Sequence, residues 1–574
     1  MFRPSNPQVS LLESRFLVPP EKQARLARSW AHVFLTRVMP LIGEECMRDC
    51  FDPGNGRPNK SIRLLMGVHL LKAWNDLTDE QVLENLEYNL QWQYALGIQA
   101  DEAHLPQKTL HNFRARLLES GQGMAMFDGI ARGLAELDGL SWSRQRLDST
   151  HVMSDIAVLT RLGLFVETET LFLRELKAEY PEKVSSLGAA VVRRYLEREG
   201  YFADAKRDQA QRRLPVAAQD LLYLVRRFER DASVNGWESY RLMVRLLEEQ
   251  CDVNGDAGEG GTGGEPSEKI ALKNPKEIKG ASLQSPHDPD ATYGHKGKGY
   301  EVQVSETCVA ENPYQIVTHV QINGAHESDQ HATLPVVMRL AEKGMVPEEL
   351  EADTGYGSGE NIVACAVEGV RLVAPVQDPD APTKVEHRWE PAVEQPAADP
   401  SAQNQEPPAE PGPLGLGDFR FDATFDEAVA CPAGHAPVRQ EVLDGSVPYK
   451  ATFDGERCRG CPLEGRCPTR VVAKTGDRVL NWRDVTAATA TRQLEQREPA
   501  FKEAYKIRSG VESTMEEFKG RHGGRDLRVR RRPQVELAAI FKTAAMNAKR
   551  AAQYHVERLQ EALAGEPEAS PVTG

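Results

Sequence analysis

Two stretches of biased composition set the first limit on how this chain can fold. Residues 252–268 are rich in glycine and acidic side chains, and residues 378–417 are crowded with proline, alanine, glutamine and acid. Such segments bury too little apolar surface to fold alone, so they predict a flexible linker over 251–284 and a disordered linker over 379–417. A chain of 574 residues that is interrupted twice is expected to form three or four domains.

The parts before and between these linkers carry helical patterns. Apolar residues recur at helical spacing over 61–77, and Thr78 resembles the cap of a following helix, which predicts an all-helical N-terminal domain over 1–140. A helical insertion is predicted over 158–250. Basic residues near the helix starts, with Arg114 as the candidate contact, suit DNA binding. A helical packing or dimerisation module explains the same pattern.

An α/β core is predicted from strand patterns on either side of the helical insertion. Residues 300–309 and 315–322 alternate as strands do, and short apolar strands are predicted at 349–353 and 371–376. Helices are predicted at 329–343 and from residue 359, and strands followed by helices are typical of an α/β fold. A strand-like stretch ending at Asp148 adds residues 141–157 to the core, whose larger part is 285–378.

Charge is unevenly distributed. The net charge of -15 argues against a uniformly basic DNA-binding protein, but residues 519–532 hold seven cations against one acid. This run predicts a surface that follows DNA phosphates, and a solvated charge run is the alternative. No apolar run reaches the ~18–20 residues of a membrane span, and no export signal is apparent, so we expect a cytoplasmic protein without membrane association.

Four of the nine cysteines fall within 37 residues, which favours a metal site over disulfides. Cys458 and Cys461 form a C-x2-C pair, Cys467 follows closely, and Cys431 precedes them. Four thiolates in a tetrahedron make a closed, structural zinc site. The fourth ligand stays open, because His435 could replace Cys431, and free thiols are the alternative to zinc. A zinc-ribbon-like insertion is therefore predicted over 418–475.

The most informative pattern lies in a predicted long helix from about residue 495 to residue 520. Tyr505, Arg508, Glu512 and Lys519 are spaced so that one helix face would carry all four. A carboxylate beside two cations and a phenol suits a site that holds metal and phosphate together. A surface helix with intrahelical ion pairs is the commoner origin of such spacing.

These residues carry a family resemblance. The spacing Y-x2-R-x3-E-x6-K is similar to the YREK signature of one branch of bacterial insertion-sequence DDE transposases. Asp148 within L-D-S-T and Asp353 within A-D-T-G-Y resemble the family's two aspartate motifs. Thr354 departs from the usual lysine there. Gly56-Arg57-Pro58 and the segment ending at Arg114 resemble its N-terminal helical domain.

The resemblance implies an RNase H-like fold, a mixed sheet flanked by helices, in which Asp148, Asp353 and Glu512 hold two Mg²⁺ or Mn²⁺ ions. Two such ions can promote DNA cleavage and strand transfer by phosphoryl transfer. The rival acids Glu516 and Glu517 lack the signature spacing, and Asp155, Asp288 and Asp290 are expected to be structural or capping. The implied DNA contacts are Tyr505, Arg508, Lys519, Arg525, Arg528, Arg530, Arg531, Arg532 and Arg114. For Lys519 the alternative is a solvated lysine.

The implied partners are double-stranded DNA, as terminal inverted repeats and as target, and a second copy in a homodimer associated with the bacterial nucleoid. The catalytic helix and basic region are expected over 476–562, with a loose tail over 563–574. Two other functions fit the same sequence. One is a catalytically inactive, transposase-derived DNA-binding protein, and the other is an RNase H-like nuclease without joining activity. A zinc-dependent regulator is a weaker third.

Overall fold

A computed structural model describes residues 18–51, 59–197, 207–254, 269–378 and 413–564. The resemblance at Gly56-Arg57-Pro58, residues 255–268 and 379–412 of the predicted linkers, and most of the predicted tail lie outside these residues. The described chain forms two compact units. Unit one comprises the described parts of 1–141, 148–328 and 510–574, and unit two comprises 142–147 and the described parts of 329–509.

Unit one begins with an all-helical region. Ser61 caps the third helix by accepting a hydrogen bond from the Leu64 amide, and Thr78 forms a capping box with Gln81, so both helix starts follow their local sequence. Cys46 and Cys50 lie in a 3₁₀ helix. The helices are α1 Pro20–Ala27, α2 Trp30–Val33, α3 Ile62–Trp74, α4 Asp79–Tyr88, α5 Leu90–Leu96, α6 Gln107–Ser120 and α7 Gly123–Asp138.

A second group of helices in unit one has its own apolar core. Its helices are α8 Arg161–Glu179, α9 Pro181–Ser185, α10 Ala189–Leu196, α11 Arg207–Phe228 and α12 Glu238–Gln250. An antiparallel hairpin of β2 Cys251–Asn254 and β3 Lys269–Leu272 follows. The hairpin differs from the flexible linker predicted over 251–284, because Val253, Ile270 and Leu272 pack against this core.

The sheet of unit one is mainly antiparallel. Its strands β4 Thr292–Gly294 and β6 Val317–Gly324 both pair with β5 Gly297–Thr307. β5 also neighbours β1 Arg144–Val152, which contributes its residues from Asp148 onward to this unit. Asp148 therefore lies within a strand, whereas the sequence predicted it at a strand end. The strand continues because Thr150 and Val152 keep the buried alternation.

The C-terminal part of unit one contains α18 Val511–Glu516 and the long helix α19 Arg532–Ala564. The prediction of a single helix over 495–520 is wrong. The chain there forms α16 Asp484–Glu495, α17 Pro499–Tyr505, a 3₁₀ turn at Lys506–Gly510, α18, and a π turn at Glu517–Arg521. Pro499 starts a new helix, and Ser509 with Gly510 favours a break. The four signature residues consequently do not share one helix face.

Unit two combines parallel strands and helices with a small antiparallel module. Arg144–Leu147 of β1 pairs in parallel with β7 Glu349–Ala352, which pairs in parallel with β8 Arg371–Val373. Besides α16 and α17, this part contains α13 Thr333–Glu342 and α14 Gly359–Val367. The module contains β9 Arg420–Phe421, β10 Ala428–Ala430, β11 Arg439–Val442, β12 Tyr449–Phe453, α15 Gly455–Cys458, β13 Arg470–Val471 and β14 Arg478–Trp482.

The chain thus has a mixed α/β fold with a helical N-terminal region. The order of the four-stranded sheet in the module is β11-β12-β14-β13, with antiparallel pairing throughout. Within the described residues, no helix is both long enough and apolar enough to cross a membrane.

Candidate active site

Asp148 lies on the face of the unit-one sheet that meets the helical core. Side chains alternate along a strand, so Asp148 points to the same side as Val152. Val152 belongs to one apolar core with Tyr300 and Val302 of β5. The Asp148 carboxylate is half-buried, and its Oδ1 accepts a hydrogen bond of 2.8 Å from the Ser149 amide.

Glu306 ties the segment that carries Glu512 to this same face. Glu306 of β5 pairs with Val317 of β6, which belongs to this same apolar core, and its side chain is fully buried. The Thr514 hydroxyl lies 2.8 Å from each of its carboxylate oxygens. Because Thr514 lies two residues after Glu512, α18 packs on the sheet face that carries Asp148. The Glu512 side chain itself is exposed.

Arg550 of α19 holds the buried carboxylates together. Its guanidinium lies 3.0 Å from Glu306, 2.9 Å from Glu517 and 2.7 Å from the Thr514 hydroxyl. Burial alone would raise the pKa of Glu517, but the nearby His522 side chain and the charge of Arg550 outweigh it and lower that pKa to about 2. Glu517 is therefore a structural anion in the part of the chain described here.

The other rival acids also have structural partners. Glu516 is exposed and pairs with Lys519 at 2.8 Å. Asp288 accepts a hydrogen bond of 2.6 Å from the Tyr300 hydroxyl, and Asp155 pairs with Arg530 at 3.2 Å. Asp290 accepts a hydrogen bond of 3.1 Å from the Arg532 amide. These contacts agree with structural and capping roles.

Asp353 follows β7 in unit two and is fixed by a tight turn. Its Oδ1 accepts a hydrogen bond of 2.7 Å from the Gly355 amide, and Arg508 lies 3.6 Å from its Oδ2. The Tyr505 hydroxyl donates to the carbonyl oxygen of Ala352 at 3.1 Å. Two signature residues that the sequence grouped around Glu512 therefore contact the strand end at Asp353.

Gly355 leaves room beside the Asp353 carboxylate in this turn. A Cβ at Gly355 would lie 2.8 Å from Asp353 Oδ1 and 3.6 Å from Asp329 Oδ2. Asp329 is thus a second carboxylate close to Asp353, and it was not among the site residues predicted from the sequence. Its signal is weak, because Asp329 stands at the start of a 3₁₀ turn where an acid is common.

The three predicted catalytic acids are divided between the units. Asp148 and Glu512 belong to unit one and Asp353 belongs to unit two. Among the described residues, no group of three or more His, Cys, Asp or Glu side chains is arranged to hold a metal ion. The oxygen donors at these positions are nevertheless those that Mg²⁺ prefers, and the exposed Glu512 and half-buried Asp148 and Asp353 are accessible to an ion.

Most of the predicted DNA-contacting arginines are engaged within unit one. Arg528 pairs with Asp76 at 3.0 Å and Arg531 with Glu238 at 3.0 Å, in addition to the Arg530 and Arg532 contacts above. Arg525 is exposed and forms no ion pair with any described residue. Surface pairs of this kind are weak, so phosphate oxygens could replace their acids.

Arg114 has a stronger internal partner. Its two guanidinium nitrogens donate to both carboxylate oxygens of Asp79, at 2.9 and 2.6 Å. Burial would raise the pKa of Asp79, but hydrogen bonds from Arg114 and Lys72 lower it to about 2. Arg114 therefore links α4 to α6, whatever it also contacts.

The predicted zinc ligands lie in the small module of unit two. Cys431, Cys458, Cys461 and Cys467 line one small pocket together with His435. Two of them begin tight turns. The Gly434 amide donates to the Cys431 carbonyl oxygen at 2.8 Å, and the Cys461 amide donates to the Cys458 carbonyl oxygen at 3.3 Å. A glycine with positive φ, Gly434 or Gly460, completes each turn.

Comparison with known proteins gives two family matches. Residues 23–116 match the Transposase domain (DUF772), and residues 430–552 match the Transposase DDE domain. The second match contains the four clustered cysteines and Glu512, and it ends before α19 does. Asp148 and Asp353 lie outside both matched segments.

A curated relative adds no named activity. Over 128 residues the chain is 30% identical to the uncharacterized protein ORF8 in the nfe locus of Rhizobium meliloti. That alignment covers 21% of this chain and 61% of the relative. No solved structure matches the chain.

Two segments of the chain are therefore similar to transposase domains, and the second of them is similar to a DDE domain.

Proposed function

We propose that this chain is an insertion-sequence transposase that binds the ends of its element and catalyses metal-dependent DNA cleavage and strand transfer. The observation that carries the proposal is the pair of contacts between Thr514 and Glu306, which puts the Glu512 segment on the sheet face of Asp148. The two transposase-domain matches support the same assignment. An RNase H-like core is the finer fold that we propose.

Asp148, Asp353 and Glu512 would hold two Mg²⁺ or Mn²⁺ ions, and their carboxylates suit these hard cations. Such ions, when bound, activate the attacking oxygen and stabilise the leaving oxygen of an in-line phosphoryl transfer. The chain's own part is to fix the three carboxylates. The Gly355 amide orients Asp353 and the buried Glu306–Arg550 pair supports α18.

The cations complete the reaction site. Arg508 beside Asp353 would bind a phosphate oxygen of the DNA, and Lys519, which only shares an exposed pair with Glu516, would bind another. Tyr505 would keep the α17 end against Ala352. The exposed Arg525 and its neighbours Arg528 to Arg532 would follow the DNA backbone.

We also propose a structural zinc ion on Cys431, Cys458, Cys461 and Cys467, with His435 as the alternative to Cys431. The two matching turns and the common pocket support it. Zinc content of the purified chain, and its loss in a Cys461→Ser variant, measures this assignment. A homodimer that pairs two element ends is proposed on the family matches alone.

The test of the reaction uses the full chain and labelled duplexes that carry the element's terminal inverted repeats. With Mg²⁺, the wild type should nick these ends and join them to a target, and Asp353→Asn should lose both activities while it retains end binding. Asp155→Asn is the matched control and should retain all three. Cleavage that survives in Asp353→Asn would overturn the catalytic assignment. Cleavage without joining would identify a nuclease, and binding without cleavage an inactive derivative.

A further inference from the structure

A cavity of about 320 Å³ opens beside Cys458 of the unit-two module. Arg459, Lys474 and Arg478 bring three cations to its lining, and Glu464 brings the only acid. The loop between β13 and β14 borders the cavity at Gly476, which packs tightly on Gly455. A Cβ at Gly455 would lie 2.4 Å from the Gly476 carbonyl oxygen. We call this feature the cationic cavity.

The acids of this module are used by its own scaffold. Asp454 accepts a hydrogen bond of 2.9 Å from the Glu456 amide, and Asp477 accepts one of 3.0 Å from the Gly455 amide. Glu464 accepts from the Gly460 amide and pairs with Arg478 at 3.0 Å. The carboxylates therefore fix turns and do not neutralise the rest of the cavity.

Two cations of the cavity remain without an acidic partner among the residues described. Lys474 is exposed at the tip of the loop, and Arg459 is exposed with its Nε donating only to the Gly455 carbonyl, at 3.3 Å. Thr475 also lines the cavity, but its oxygen accepts from the Asp477 amide and its hydroxyl interacts with the Asp477 carboxylate. The free donors are an ammonium and a guanidinium.

That donor set fits a phosphate diester. Guanidinium and ammonium groups bind phosphate oxygens through charge-assisted hydrogen bonds. The cations could instead balance the charge of zinc-bound thiolates. Arg478 is suited to that role, since its charge acts on the Cys458 thiol and it also pairs with Glu464. Arg459 and Lys474 have no such contact, so their charge is available to a ligand.

We propose that the cationic cavity binds a phosphate group of the DNA backbone through Arg459 and Lys474. The cysteine module is then a second DNA-contacting surface in addition to a folding element. The inference rests on the proposed function in taking DNA as the ligand, but it does not require cleavage.

The experiment measures binding of the full-length chain to fluorescent duplex DNA between about 50 and 200 mM salt, without Mg²⁺. In the double variant Arg459→Gln/Lys474→Gln, the slope of log K against log salt should become shallower by about 1 to 2 units, since each lost phosphate contact removes about 0.9. The loss should be the same for related and unrelated DNA sequences, because phosphate contacts carry no sequence information. The single variant Lys474→Gln, which touches no structural contact, should lose about half of this effect.

The matched control is Arg439→Gln/Arg457→Gln, which removes two exposed arginines of the same module that already pair with Glu441 and Asp454. It should leave the slope within about half a unit of the wild type. Equal slopes in the cavity variant, the control and the wild type would overturn the inference. Loss of zinc from the cavity variant at an unchanged slope would assign the cations to thiolate balance and would also overturn it.

A titration with inorganic phosphate separates a free-anion site from a DNA site. Phosphate that binds the wild type and not the cavity variant, together with equal DNA slopes, would contradict the DNA assignment. Cleavage assays on the same samples keep the two proposals distinct. If the cavity variant has a shallower salt slope but the wild type never cleaves DNA, the cavity proposal is supported and the catalytic proposal is contradicted. If the wild type cleaves DNA normally but the two slopes are equal, the catalytic proposal is supported and the cavity proposal is contradicted.

Discussion

Two buried carboxyl clusters of unit one solve the same physical problem in opposite ways. Below α18, Glu306 and Glu517 both accept hydrogen bonds from Arg550, and Glu306 accepts another from the Thr514 hydroxyl, so donors of the fold satisfy both carboxylates. In the helical insertion, Glu169 of α8 is fully buried, and neither of its carboxylate oxygens makes a hydrogen bond of normal geometry. Its neighbour Asp220 takes the available donors, Arg194 and the Tyr195 hydroxyl.

The difference shows where the chain uses buried charge. Burial is the main cause that raises the pKa of Glu169 well above its usual value, and the repulsion from Asp220 adds to it, while Tyr195 and Arg194 oppose it only in part. Around Glu517 the same burial is outweighed by donors. We infer that the compensated cluster fixes the segment that carries Glu512, whereas Glu169 itself makes no stabilising contribution through charge.

Replacing Arg550 with methionine should have the largest effect. Arg550→Met leaves two buried anions without their cation, and breaking a buried pair in this way costs about 3–5 kcal/mol of unfolding free energy. Urea unfolding of the wild type and the variant measures the loss. Lys549→Met, one residue away on the same helix, is the control and should cost much less. A change below about 1 kcal/mol for Arg550→Met would show that the cluster is not compensated as described.

This cluster also shows what sequence alone can predict. The strand before Asp353 and the cap at Thr78 depend on neighbours within a few residues, and the sequence predicted them. The contacts of Arg550 with Glu306, 244 residues away, leave no local pattern. Glu306 follows three apolar positions of β5, and Arg550 interrupts an alanine-rich helix, so each is visible as an oddity without an identified partner.

The sequence suggested the residues of the candidate active site, but it did not predict how the segment around Glu512 is folded. Asp148, Asp353 and Glu512 were chosen by resemblance, and their joint role stays a prediction. The helix expected to align Arg508 with Glu512 is broken by a 3₁₀ turn at Lys506–Gly510. The sequence did not predict this break, because residue spacing alone cannot reveal a 3₁₀ turn. Arg508 instead meets Asp353, a contact that depends on the packing of α17 against β7.

Glu517→Gln tests the charge of the compensated cluster. A depressed pKa contributes stability above the unfolded value of about 4.3, and this contribution is lost as the pH falls towards about 2. We therefore expect the variant to lose about 2–3 kcal/mol at pH 7. The variant should also depend less on pH between 2 and 4.5. Chemical unfolding at several pH values measures both, and an unchanged acid dependence would contradict the prediction.

Glu169→Gln should act in the opposite direction. A carboxyl whose folded pKa is raised contributes stability below its unfolded pKa, and that contribution is lost as the pH rises through the folded value. Glutamine has no charge to bury, so the variant should gain about 1–2 kcal/mol at pH 8 and little at pH 4. Asp220→Asn is the contrasting change, because it removes the partner of Arg194 and should destabilise at pH 8. Equal pH profiles for wild type and Glu169→Gln would contradict the uncompensated burial.

The smallest effect on stability belongs to the exposed pair of Glu516 and Lys519, on the solvent side of the segment that the buried cluster supports. Glu516 is fully exposed to solvent, and hydrogen bonding by Lys519 lowers its pKa in a pair that water and salt screen. Glu516→Gln should therefore leave the unfolding free energy unchanged while it releases Lys519 for phosphate. We expect Glu516→Gln to bind DNA more tightly, with a steeper salt dependence. Lys519→Gln should bind DNA more weakly, with a shallower salt dependence. If Glu516→Gln and the wild type bind DNA equally and Lys519→Gln binds no more weakly, then Lys519 is a solvated surface lysine, and the DNA contacts near Glu512 must come from other residues.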